Sequence, residues 1–314
     1  MCCSSFRKSS SNLKNPDKLP PEDELVAGLT AGLPQSPRTL TGPGDDCAIV
    51  RIPGSPLLQL LKADAVVEGI HFTREMPPAA VGRKALARAV SDIASMGGLP
   101  DEALVTLVLP PDVPWSWVKA LYEGLAAAAR DWQTGLAGGE TSSAPPGSPI
   151  MISVALTGSV EPSRVIRRRG AQPGDVLAVT GGLGNSFASG WHLHFIPRLR
   201  EARWLAEHFP PSAMMDLSDG LAKDLPRLAT SSGTGWELDL DCIPLRPGAT
   251  RAQALGEGED YELLFALPEA SWAALESQWP EVFPDTALTK IGIMVGSGIR
   301  VPELSGGWDH FSRA

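Results

Sequence analysis

Apolar and polar positions alternate along this chain in two rhythms, and the rhythm changes mark its elements. In "PPAAVGRKALARAVSDIASMGG" (77–98), Leu86, Val90, Ile93 and Met96 fall on one side of a helical wheel, prolines open the stretch and paired glycines close it. These are helix start and stop signals. A second helix is predicted over 114–132 and a short one, broken by glycines, over 22–33. Compact apolar runs at 103–110 and 150–160 predict strands, and "LLQLLKADAVVEGIHF" (57–72) predicts a buried strand running into a polar loop. The Pro/Gly/Arg-rich segment "EPSRVIRRRGAQPGD" (161–175) interrupts the pattern. It then restarts with a strand, a glycine turn and a small-residue helix across 176–190 and a helix near 217–230. Strands follow at 236–240, 261–267 and 290–295, with a helix near 269–278. Mixed elements on both sides of the interruption predict an α+β fold of two α/β-type domains, 21–160 and 161–314, after a disordered tail over 1–20.

Composition narrows the function classes. The 314 residues are 43% hydrophobic and 20% charged, ample for two cores. A net charge of −9 argues against nucleic acid or an anionic membrane as the main partner. An anionic substrate would then need metal cations as mediators. Cys2, Cys3, Cys47 and Cys242 form no C-x-x-C pair, which suggests neither a disulfide framework nor a zinc site. No apolar run approaches 18 residues, and no hydrophobic stretch follows the few basic residues of the N-terminus, so a cytoplasmic location is expected.

Acidic residues recur beside glycines and apolar strand ends. "MMDLSDGLAKDL" (214–225) carries Asp216, Asp219 and Asp224, "GPGDDCAIV" carries Asp45 and Asp46, and "KADAVVEG" carries Asp64. Asp92 sits in an otherwise small and apolar helical stretch, and Glu140 on what reads as a glycine turn, "GLAGGETS". Each has a plain alternative. Asp216 or Ser218 could cap a helix starting near Asp219, Asp45 or Asp46 could be a turn residue, and Glu140 could be a solvated loop acid. Asp92, four residues after Arg88, could form a helical ion pair worth about 0.2–0.5 kcal/mol. Together the alternatives are strained, because each unpaired carboxylate near a packed face costs several kcal/mol or takes up a proton. A shared group of Mg²⁺ ions, which prefer carboxylate and phosphate oxygens, answers all of them at once. "VTGGLGNSFASG" (179–190) and "RRRG" (167–170) could handle phosphate, though neither a Walker A loop nor a Rossmann fingerprint occurs.

Nine segments in order, "GPGDDCAIV", "DAVVEGIHF", "AVSDIASMGG", "AGGET", "RRRGAQPGD", "VTGGLGNS", "MDLSDGLAKDL", "GEGEDYELLF" and "GWDHF", resemble the thiamine-monophosphate kinases of the aminoimidazole ribonucleotide synthetase superfamily. The resemblance runs from about Glu22 to the C-terminus. It implies a homodimer whose N-terminal halves join in a shared β-barrel, with the C-terminal half an α/β sandwich. It also implies ATP-dependent phosphorylation of thiamine phosphate with several Mg²⁺ ions. Carried over by position, Asp46, Asp64, Asp92, Glu140, Asp216 and Asp219 would hold metal, with Glu140 where the family has Asp. Gly139, Arg168 and Ser218 would touch ATP, and His71, Glu259 and Trp308 would touch thiamine phosphate. No general base is implied, since the attacking phosphate oxygen is largely ionised near pH 7.

Three positions depart from the family's pattern. Lys62–Ala63 stands where two hydroxyl residues are usual, Glu140 is one methylene longer than Asp, and Glu257 replaces a glycine. The same motifs are therefore also compatible with a non-catalytic nucleotide-binding paralogue, or with a related ATP-dependent enzyme acting on another substrate.

Overall fold

Helix formation at 78–95 sets up the rest of the molecule. In the computed structural model, which describes residues 19–311, this helix buries 14 of its 18 residues, including the polar Lys84, Ser91, Asp92 and Ser95. A helix buried on nearly every side must pair its polar groups internally. The expected tail over 1–20 lies outside the described residues except for Leu19 and Pro20.

The described residues form two compact units, one of residues 19–34 with 309–311 and one of residues 35–308. The smaller holds α1 (Glu22–Thr30), whose first turn is acidic, and the backbone N–H of Glu22 donates to Asp309 Oδ2 at 3.2 Å.

The larger unit contains two sheets. The first is built from β1 (Thr39–Thr41), β2 (Ala48–Arg51), β3 (Leu58–Val67), β4 (Leu99–Leu109), β5 (Gly135–Ser143) and β6 (Met151–Val160), with α2 (Pro78–Ser95) and α3 (Trp115–Asp131) against it. Its order is β1-β2-β3-β6-β4-β5, antiparallel except for the β4–β5 edge. Strand alternation points Leu60, Val66, Val105, Leu107, Ile152 and Val154 into the core with the helices. The opposite face carries the register row Ala63–Ala155–Leu104, all exposed. α2 and α3 cross at glycines: a Cβ on Gly124 would lie 1.9 Å from the carbonyl oxygen of Ala79, and one on Gly82 would lie 2.1 Å from that of Leu121.

The second sheet comprises β7 (Val176–Thr180), β8 (Ala213–Asp216), β9 (Gly235–Leu238), β10 (Leu263–Leu267), β11 (Leu288–Val295) and β12 (Arg300–Val301), in the order β12-β9-β11-β7-β10-β8. Its helices are α4 (Trp191–His194), α5 (Leu199–His208), α6 (Leu221–Ser232), α7 (Arg251–Gly256) and α8 (Glu269–Val282). β7, β8 and β10 are buried on both faces, which is why they read as unbroken apolar runs. Val176, Ala178, Met214 and Phe265 pack on α5 and α8, while Leu177, Val179, Met215 and Leu264 pack on α6. Ala94 near the end of α2 joins the α5/α8 cluster, so one helix contacts both sheets.

Most expected elements are present, with four differences. The helix expected near 217 starts at Leu221, because Gly220 at φ +96° cannot continue a helical turn. The small-residue helix expected within 176–190 is a turn stitched by side chains. The glycine turn expected around Glu140 is the edge strand β5. No closed barrel occurs among the described residues; the first sheet is open.

Candidate functional site

The site is written along α2 as a polar stripe. Lys84, Arg88, Ser91, Asp92 and Ser95 recur at i, i+4, i+7, i+8 and i+11, which aligns them on one face. Lys62 and Asp64 reach the same region from β3, because alternation puts them on the inward side with Leu60 and Val66. Asp46 comes from the turn before β2, and Asp216 from the end of β8.

These segments bring three of the six expected metal ligands together. One carboxylate oxygen each of Asp46, Asp92 and Asp216 lies within 4.8 Å of the others, and all three residues are buried. Ser91 Oγ donates to Asp216 Oδ2 at 2.6 Å and Ser95 Oγ to Asp46 Oδ2 at 2.8 Å. Lys62 Nζ donates to Asp92 Oδ1 at 2.7 Å, and Arg168 Nε to Asp46 Oδ1 at 3.0 Å. Burial and the neighbouring Asp46 charge push the Asp216 carboxyl up to about 6. Burial also pushes Asp92 upward, with Asp216, Asp64 and Asp46 adding to it against Lys62. Such mutual repulsion marks a cluster short of positive charge.

The other expected ligands fall outside this trio. Asp64 is held by Arg88, with Nε at 2.9 Å from Oδ2. Burial would raise it, but Arg88 and Lys62 hold the Asp64 carboxyl below its ordinary value. The anticipated Arg88–Asp92 helical pair is thus not made: Arg88 pairs with Asp64 and Glu259, and Asp92 with Lys62. Asp219 lies in the loop before α6, where Arg227 donates to Oδ2 at 2.6 Å. Glu140 is exposed on β5. Gly139 beside it is sterically required, since a Cβ there would lie 1.8 Å from the Val105 carbonyl oxygen.

Two loops expected to contact substrates are laced together. The N–H of Glu259 donates to the Ser218 carbonyl at 2.7 Å, and that of Tyr261 to the Leu217 carbonyl at 2.8 Å. Glu259 and Tyr261 both adopt positive φ, +58° and +51°, a strained choice for such residues. Glu259 is buried against Lys84, itself 0% exposed, and Arg88 Nη1 lies 3.2 Å from its Oε1. Lys84 Nζ also donates to the His71 carbonyl at 2.6 Å and lies 2.9 Å from His192 Nδ1. Burial opposes ionisation, yet Lys84, His192 and Arg88 lower the Glu259 carboxyl to about 2. His71 is buried, with Nδ1 accepting the Val67 N–H at 3.1 Å. Trp308 is 43% exposed, and its N–H donates to the Asp219 carbonyl at 2.8 Å. Glu257 accepts the N–H groups of Asn185 and Phe187, at 2.8 and 3.1 Å, and so fixes the 184–190 turn.

Sequence reasoning missed Lys84, Ser91, Ser95, His192 and Arg227. For the first three the signal was available as the polar stripe of α2. Arg227 offered only its i,i+3 spacing from Asp224 on α6, and His192 gave no signal, since its partners are distant in the chain.

The family described as AIR synthase related protein, N-terminal domain, matches residues 44–160. A thiamine-monophosphate kinase of Rhodopirellula baltica is 34% identical over 88% of this chain and 90% of its own length. The chain belongs to the thiamine-monophosphate kinase family. The family's member from Salmonella typhimurium is 32% identical, covering 87% of this chain and 92% of itself. Among solved structures, AaThiL complexed with AMPPCP and TMP superposes with a TM-score of 0.79 at 31% identity, covering 93% of this chain and 97% of that one. The family's kinship thus extends well beyond the segment matched by the domain description.

Proposed function

We propose that this protein transfers the γ-phosphoryl group of ATP to thiamine monophosphate, giving thiamine diphosphate and ADP. The observation that carries this reading is the convergence of Asp46, Asp92 and Asp216, from three separate segments, within 4.8 Å in a member of this family. A phosphate oxygen of the acceptor forms the new P–O bond as the bond to the leaving ADP breaks. That oxygen is already ionised near neutral pH, so the chain needs to supply no general base. The barrier lies in bringing two polyanions into line, which is a task of positioning and charge stabilisation.

The carboxylate cluster fits Mg²⁺: three hard oxygen donors are close, buried and short of positive charge. Bound there, Mg²⁺ would supply positive charge to offset the negative charge of the substrate phosphates. Asp46, Asp92 and Asp216 would hold it directly, while Ser91 and Ser95 orient two of those carboxylates. Asp64, Asp219 and Glu140 are further candidates for additional ions. Arg168, Ser218 and Gly139 are assigned to ATP, and Arg168 already reaches the carboxylate cluster through Asp46. His71, Glu259 and Trp308 are assigned to thiamine phosphate. The half-exposed Trp308 ring could stack on it, and the buried Lys84 and half-buried Arg88 hold Glu259 in place.

We further assign two domains, 21–160 and 161–314, and a cytoplasmic homodimer whose N-terminal sheets close into a shared barrel. The exposed apolar row Ala63–Ala155–Leu104 and the open edge of β5 support that pairing. No helix among the described residues is long and apolar enough to cross a membrane.

The test is a coupled ADP assay with ATP, Mg²⁺ and thiamine monophosphate, with chromatography of the thiamine product. Wild-type protein should form thiamine diphosphate, and Asp216→Asn should not. ATP binding without turnover in the wild type would instead identify a nucleotide-binding paralogue. ADP release only with other acceptors would identify a related enzyme.

A further inference from the structure

Three of the four acids around the candidate metal site can be matched with a cation that reaches them. Arg168 serves Asp46, Arg88 serves Asp64 and Lys62 serves Asp92. Among the described residues the Asp216 carboxylate accepts only from the neutral hydroxyl of Ser91. Of these three cations Lys62 is the one placed by a central strand. β3 is hydrogen-bonded on both sides, to β2 and β6, and its alternation directs the Lys62 side chain inward between Leu60 and Asp64. The ammonium cannot turn to the other face without a one-residue slip of the whole strand.

Asp92 is the point of conflict. It belongs to the carboxylate trio, and its Oδ1 accepts from Lys62 Nζ at 2.7 Å. A divalent ion ligated by the same oxygen, at about 2.1 Å, would sit well within 5 Å or so of the ammonium, close enough for strong repulsion in a buried setting. The two cations compete for one carboxylate.

We propose that the Lys62 ammonium is a permanent cation of the acidic cluster and takes the place of one divalent ion there. The chain then assembles its site with fewer metal ions than the same cluster would hold with a neutral residue at 62. Lys62 acts as a positioning residue: it fixes Asp92 through Oδ1, as Arg168 fixes Asp46, and leaves Asp216 as the member of the trio with no cation on it among the described residues. The inference rests on the kinase reading above, but it concerns cation binding and can be tested apart from turnover.

Mn²⁺ serves as the probe, counted by electron paramagnetic resonance on the full chain as wild type, Lys62→Thr and Lys62→Arg. Lys62→Thr should bind one more Mn²⁺ per chain, or bind its ions at least about tenfold more tightly, whereas Lys62→Arg should keep the wild-type curve. Identical curves for wild type and Lys62→Thr would overturn the proposal. Should Lys62→Thr not fold, anomalous diffraction from Mn²⁺-soaked wild-type crystals decides: Lys62 still on Asp92 supports it, and a Mn²⁺ peak on Asp92 with Lys62 displaced overturns it. Thiamine diphosphate formation is assayed on the same samples. Activity with unchanged Mn²⁺ curves rejects the Lys62 role alone, and inactivity with the extra ion present rejects only the kinase reading. No Mn²⁺ bound by any of the three proteins rejects both.

Discussion

Glu259→Gln removes a charge while nearly preserving shape, and its cost can be worked out in two ways. The carboxyl is lowered from 4.5 to about 2 by Lys84, His192 and Arg88 acting against burial. At about 1.4 kcal/mol for each factor of ten, the ionised group is worth about 3 kcal/mol to the folded state at neutral pH. Independently, breaking a buried ion pair by removing one partner costs about 3–5 kcal/mol, because the other charge stays buried. Here that charge is Lys84, which is 0% exposed. At about 2 °C per kcal/mol for a chain of this size, melting should fall by roughly 6–10 °C at pH 7. The pH dependence follows from the direction of the shift. A carboxyl lowered on folding contributes fully above its ordinary value, and the contribution is lost as pH falls from 4.5 toward 2. The gap between wild type and Glu259→Gln, measured by urea unfolding across pH 7 to 3, should therefore narrow below pH 4.5. A constant gap, or none at pH 7, would refute the reasoning.

Three further outcomes are expected. Gly124→Ala should lower the urea midpoint by the equivalent of about 1–3 kcal/mol or more, because the new methyl would overlap the Ala79 carbonyl across the α2–α3 crossing. In the homodimer proposed above, Leu104→Glu puts a charge in the exposed apolar row of the first sheet, and sedimentation should show a shift from dimer to monomer; an unchanged dimer would place the interface elsewhere. Thr250→Ala removes a capping box in which Thr250 and Gln253 bond each other's backbone, and should cost about 0.5–2 kcal/mol in thermal unfolding.

Pattern carried far in the core and poorly at its polar junctions. The apolar spacing of Leu86, Val90, Ile93 and Met96 located α2 to within three residues at either end, since a helical face must be buried somewhere. The continuous runs at β7 and β10 marked strands covered on both sides. β5 was illegible because "GLAGGETSS" is glycine-rich and nearly all exposed, so neither propensity nor alternation distinguishes it from a turn. The turn at 184–190 reads as a small-residue helix, but Glu257, some seventy positions later, holds its N–H groups.

By itself the order of residues determined most of the core elements, the family and the list of acids, because periodicity, turn chemistry and motif order are local properties of the chain. Which acids meet is not local. Asp46, Asp92 and Asp216 converge because α2 contacts both sheets, and Asp64 and Asp219 stand apart because Arg88 and Arg227 reach them first. Charge pairing depends on distance in space, and that distance exists only once the strands and α2 have packed.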